Sequence, residues 1–157
     1  MRDLRSLSIR RRTSPRAGAA AVESAMILTA FLTLVLGTLD YGLAVLNRNN
    51  LEAAACRLAR AASVRGEKSA SAFDPWGPAT FQGTAHDGSN VAAEVAPLIA
   101  VMPRQQVRIL LEWPEGSHSV GKPVRATLMY DHHSLLGGLL GHSSWALQAE
   151  SVMRIHH

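Results

Sequence analysis

The chain has little of what would cross-link it or build a metal centre. Cys56 is its only cysteine in 157 residues, which excludes an intramolecular disulfide and any cysteine-based zinc site. One thiol does not decide the compartment. Outside the cytoplasm it is either shielded or paired between chains. No proline occurs between Pro15 and Pro75, so nothing in that stretch enforces a helix break. Charge is almost missing from Ala19 to Leu39, where Glu23 is the single ionisable residue. Sequence signatures of catalysis are missing too: no G-x-S-x-G, no phosphate-binding loop, no dinucleotide fingerprint and no H-E-x-x-H. The acids Asp40, Glu52, Asp87, Glu94 and Glu112 are scattered, so a non-enzymatic protein without a cofactor is expected.

The formal net charge is +4, which taken alone points to nucleic acid or an anionic surface. Its distribution argues otherwise. Six of the sixteen Lys and Arg residues, Arg2, Arg5, Arg10, Arg11, Arg12 and Arg16, precede Gly18. From Ala19 onward ten basic residues face eleven acidic ones, a formal −1. The body is near neutral and has no basic stripe interleaved with aromatics, which excludes nucleic acid as the expected partner.

The 21 residues from Ala19 to Leu39 match the length of a helix crossing the hydrocarbon core of a bilayer. A buried core helix of a soluble protein would need more chain than remains here to wrap it. A cleaved signal peptide would be shorter and would meet a small-x-small site; here Asp40 and Arg48 follow instead. The arginine cluster places the N-terminus in the cytoplasm and the C-terminal part outside. Beyond the apolar run, Leu51, Ala54, Ala55, Leu58, Ala59 and Ala62 recur at helical spacing. One helix is therefore expected from Ala19 to Ala62, on the order of 65 Å long, with Gly66 as its stop. Cys56 lies off that stripe, as either a tolerated small residue or a site for a disulfide between two chains.

The stretch from Ser63 to Ser89 reads as irregular. Phe73 and Trp76 either anchor it to the core or stand exposed for a partner. Ser89 or Asn90 caps a helix carrying Val91, Val95, Leu98, Ile99 and Met102 on one face, shortened or kinked by Pro97. The period then changes to two. Val107 to Trp113, Val124 to Tyr130 and Trp145 to Ser151 read as three antiparallel strands, each with one buried face. The expected fold is α+β: a long N-terminal transmembrane helix continuing into a small domain with a three-stranded sheet. Residues 1–18 form a basic leader, 19–62 the transmembrane and extended helix, and 63–157 the outer domain. "SLLGGLLG", Ser134 to Gly141, is apolar for a loop and either tucks under the sheet or contacts another subunit. His118, His132, His133, His142, His156 and His157 show no metal-ligand spacing and read as solvated polar ends, so no metal is expected.

A basic leader, Gly18, the small Ala19, Glu23 five residues after the glycine, and then an unbroken apolar helix together resemble a type IV prepilin or pseudopilin processing site. The whole chain resembles the TadE-like family, minor pilins or pseudopilins of the tight-adherence (Flp) pilus machinery. The carriers are "RAGAAAVESAMIL" (16–28), "LGTLDYGLAVLNRNNLEAAACRLARAASVRG" (36–66) and the closing 121–154 region. Ser24 stands where the family commonly has an aromatic residue. The resemblance implies a pilin-like fold and cleavage between Gly18 and Ala19 by a prepilin peptidase, with the apolar helix retained. It also implies assembly with other pilins and tight-adherence proteins, and residence in a bacterial inner membrane with the domain in the periplasm. Glu23 would then pair with the new terminal amine of a neighbouring subunit, opposite charges relieving each other's desolvation in low dielectric. The competing reading leaves Glu23 snorkelling at the headgroups. For the chain as a whole, the alternative is a single-pass anchored envelope module that binds a secretion-system partner without entering a pilus.

Overall fold

A computed structural model describes residues 15–69, 74–134, 137, 141 and 144–156. The leader arginines before Pro15, together with Phe73, His142, His157 and most of the apolar "SLLGGLLG" stretch, lie outside the described residues.

Helix α1 runs Pro15–Ser63, starting four residues earlier than the expected Ala19. In its first half the threonine hydroxyls are satisfied within the helix itself. Thr29, Thr33 and Thr38 each donate their hydroxyl to the carbonyl four residues back, at 2.8–2.9 Å, which removes a polar liability in an apolar setting. The second half carries the expected stripe: Leu51, Ala54, Ala55, Leu58, Ala59 and Ala62 are all fully buried. The stripe extends further back than the spacing of apolar residues alone indicated, through Asn47 and Ala44 to Asp40. Alternating steps of four and three residues keep these positions on one side of the helix.

The domain packed on that side contains a four-stranded antiparallel sheet in the order β1–β2–β3–β4, not the three strands expected. The additional strand is β1, Phe81–Thr84, which pairs with β2, Arg108–Glu112. The segment expected to be irregular therefore holds a strand, and also a short 3-10 helix, Glu67–Ser69. The long strands β3, Pro123–His133, and β4, Ser144–Arg154, pair along their whole length, from Pro123↔Arg154 to His133↔Ser144. Helix α2 is only Asn90–Val95. Ser89 caps it by accepting the Ala92 N–H at 3.0 Å, and the chain continues in turns past Pro97, as that proline requires.

Both helices share one core with the inward face of the sheet. Val91, Val95, Ile99 and Met102 join the α1 stripe and Ile109, Leu111, Val124, Ala126 and Leu128. Trp76 is part of this core, which settles its role as an anchor; Arg65 lies over its ring at 4.2 Å. Gly77 has φ +99°, and a Cβ there would come within 2.5 Å of the Trp113 ring, so the chain can pass over that indole only as glycine. The outward face of the sheet carries the ion pairs Arg108–Asp131 and Arg125–Glu150. Both are exposed and contribute little.

Lengths are matched across the two layers. The α1 segment from Asp40 to Ser63 spans about 35 Å at helical rise, and an eleven-residue strand such as β3 spans about 36 Å. The far end of α1 is tied down by the Ser63 carbonyl accepting the His156 N–H at 2.9 Å, and by the Arg65 carbonyl accepting the Trp76 N–H at 2.8 Å.

Candidate functional site

Two regions of α1 differ sharply in what surrounds them. From Gly18 to Phe31 every residue is exposed, and in Gly18–Ser63 the most apolar eighteen-residue window has mean hydropathy 2.0 with none of it buried. That exposure removes the reading of a soluble core helix. A helix this long and apolar, uncovered by its own domain, is suited to be a single-pass membrane anchor. Gly18, Ala19 and Glu23 all lie on this uncovered part. Gly18 has open space around it, with nothing within 4 Å of a Cβ built there. Cys56 is exposed on the side of α1 away from the domain.

The second region begins where the apolar run stops. Asp40 is 3% exposed and His132, at the end of β3, is 5% exposed. Asp40 Oδ1 lies 3.3 Å from His132 Nε2, and Ser134 donates its hydroxyl to Asp40 Oδ2. On the other side of the ring, Asn47 Nδ2 lies 3.2 Å from His132 Nδ1. With Asn47 as donor, Nδ1 accepts and Nε2 carries the proton toward the carboxylate. The expectation that the histidines are solvated ends thus fails for His132, which is buried between α1 and β4. It holds for His133 and His156, which are exposed.

Sequence reasoning placed Asp40 among scattered acids and missed Asn47. The available signal was the stripe itself: counting back from Leu51 in steps of four and three reaches Asn47, Ala44 and Asp40. Although it contains serine, histidine and aspartate, the cluster is not arranged as a nucleophile relay. Ser134 bonds the carboxylate rather than the imidazole, so the serine–histidine contact of a nucleophile relay is missing. Among the described residues no group of three or more His, Cys, Asp or Glu could hold a metal. Near the cluster, burial pushes the Tyr130 hydroxyl above the ordinary tyrosine value of 10.0; its ring sits 6.5 Å from that of His132. In the turn before α2, the Ser89 side chain, and secondarily backbone N–H groups, hold the Asp87 carboxyl below its usual 3.8.

Residues 18–60 match the family model described as TadE-like protein. The match covers the uncovered rod and most of the domain-facing stripe, and agrees with the resemblance carried by residues 16–28 and 36–66. No curated protein and no solved structure matches the chain.

Proposed function

We propose that this chain is a non-enzymatic minor pilin or pseudopilin of a tight-adherence (Flp) pilus, inserted and assembled through its N-terminal helix. The observation that carries the reading is the uncovered apolar half of α1, inside the segment matching the TadE-like family. It joins a folded domain through a continuous helix and bears one carboxylate, Glu23, one helical turn past Ala19. In this reading the basic leader stays cytoplasmic, a prepilin peptidase cuts between Gly18 and Ala19, and the domain stands in the periplasm. The rod remains in the inner membrane until it is drawn into an assembly. Stripped of hydration there, Glu23 gains most from a cation it can reach, and a neighbour's new Ala19 amine supplies one.

Mass measurement of the protein from native membranes tests this directly. An N-terminus at Ala19 is expected. An intact leader favours the anchored envelope module that binds a partner without entering a pilus. In the same membranes, Glu23→Ala is expected to insert normally and to lose co-purification with the other pilins. Unchanged co-purification removes the assigned role of Glu23.

A further inference from the structure

We propose that the end of the sheet at Trp145 rests in the lipid headgroup layer, so that the folded domain sits on the bilayer surface rather than standing clear of it. The proposal rests on reading α1 as membrane-spanning and adds a second, peripheral contact to it.

Height along the helix is the first support. The apolar run ends at Leu39, and the next residue, Asp40, is held by His132 and Ser134. The β3–β4 register sets His132 opposite Trp145, with ring centroids 6.2 Å apart. Trp145 is thereby fixed near the level at which hydrocarbon gives way to headgroups. The second support is the distribution of aromatics with a polar handle. The chain has three Trp and two Tyr. Trp76, Trp113 and Tyr130 are buried in the core, whereas Tyr41 is 64% and Trp145 39% exposed. Both exposed ones lie at this one level, beside Asp40, and membrane–water interfaces are where Trp and Tyr concentrate. Third, the described residues nearest Trp145 on the hairpin, His132 to Ser134 and Ser144 to Leu147, include no Asp, Glu, Lys or Arg; the nearest charge, Asp131 opposite Ala146, is paired with Arg108 on the outward face. Contact with headgroups there desolvates no unpaired charge. The opposite end of the domain, by contrast, carries Glu67, Glu115, Lys122 and Arg154.

Tryptophan fluorescence of the full chain in phosphatidylcholine vesicles tests the contact, using a phospholipid with a nitroxide at a shallow acyl position as quencher. Trp113 follows the residue paired with Arg125, so it lies about 25 Å along the sheet from Trp145. Trp76 packs near Trp113, and the two serve as an internal reference. The shallow nitroxide is expected to abolish one component of the emission, and Trp145→Phe to abolish that loss while leaving the rest unchanged. If Trp145 is instead quenched by aqueous iodide and indifferent to the labelled lipid, the proposal is overturned. Shielding from both quenchers that depends on protein density in the vesicle assigns the patch to a second copy, and also overturns it. Alkaline carbonate extraction separates the two levels. A chain that is extracted fails the membrane-spanning reading itself; one that resists and shows no lipid quenching fails this proposal alone.

Discussion

Asp40 occupies a costly position for a carboxylate, almost wholly removed from water at the point where an apolar rod meets a folded domain. What makes the position tolerable is the set of donors around it. His132 offers Nε2–H and Ser134 its hydroxyl, while Asn47 fixes the tautomer from the far side of the ring. Removing a partner leaves charge or amide dipoles buried with less compensation. His132→Ala is therefore expected to lower the unfolding free energy by about 2 kcal/mol, read from denaturant melts of the detergent-solubilised protein. The Asp40→Ala/His132→Ala pair should cost clearly less than the sum of the single changes, because each single change already forfeits the contact the two side chains share. Additive costs would show that the two side chains do not act together. None of this is visible to a local reading: Asp40 and His132 are 92 positions apart, and an aspartate after a greasy run reads only as its boundary. Burial of a histidine depends on which strand end meets which helix turn, and that is fixed by tertiary register.

At the level of elements, the domain-facing side of α1 is built mostly from alanine. Small side chains let the sheet approach closely, so volume added there has nowhere to go. Ala59→Leu is expected to destabilise the domain by about 1–3 kcal/mol. Ala53→Leu, on the exposed side of the same helix, should leave the thermal midpoint almost unchanged. Equal effects would mean that the alanine face is not packed as described. This helix was legible in the sequence because a 3.6-residue period sustained over many turns leaves little ambiguity, and β2 and β3 were legible because their apolar residues recur at every second position, even though Thr127 between two of them is buried as well. Strand β1 was not. Phe81-Gln82-Gly83-Thr84 is four residues long, includes a glycine, and follows a Pro- and Gly-rich stretch. It becomes a strand because β2 offers it an edge, not through any propensity of its own.

For the whole molecule, the division of labour within α1 is the governing fact. The core draws on residues from Ala44 to Ile155, and nothing from the apolar run contributes to it. A chain starting at Asp40 is accordingly expected to fold, with a single cooperative melt by circular dichroism and the near-ultraviolet signature of buried Trp76 and Trp113. A molten or aggregated product would show that the rod supports the domain as well as anchoring it. The uncovered rod was readable from hydropathy alone. The clamp where it enters the domain was not, since it exists only once the helix and hairpin are brought side by side.

The equal spans of α1 from Asp40 onward and of β3 act as a ruler with two scales. Each residue advances the helix about 1.5 Å and a strand about 3.3 Å. An extra turn between Asp40 and Ser63 would thus have to be met by about two residues in both long strands, or one end of the clasp would open. Natural variation in the size of this domain should arrive in such linked increments, close to two helical positions for every strand position, with insertions tolerated singly only in the connections between them.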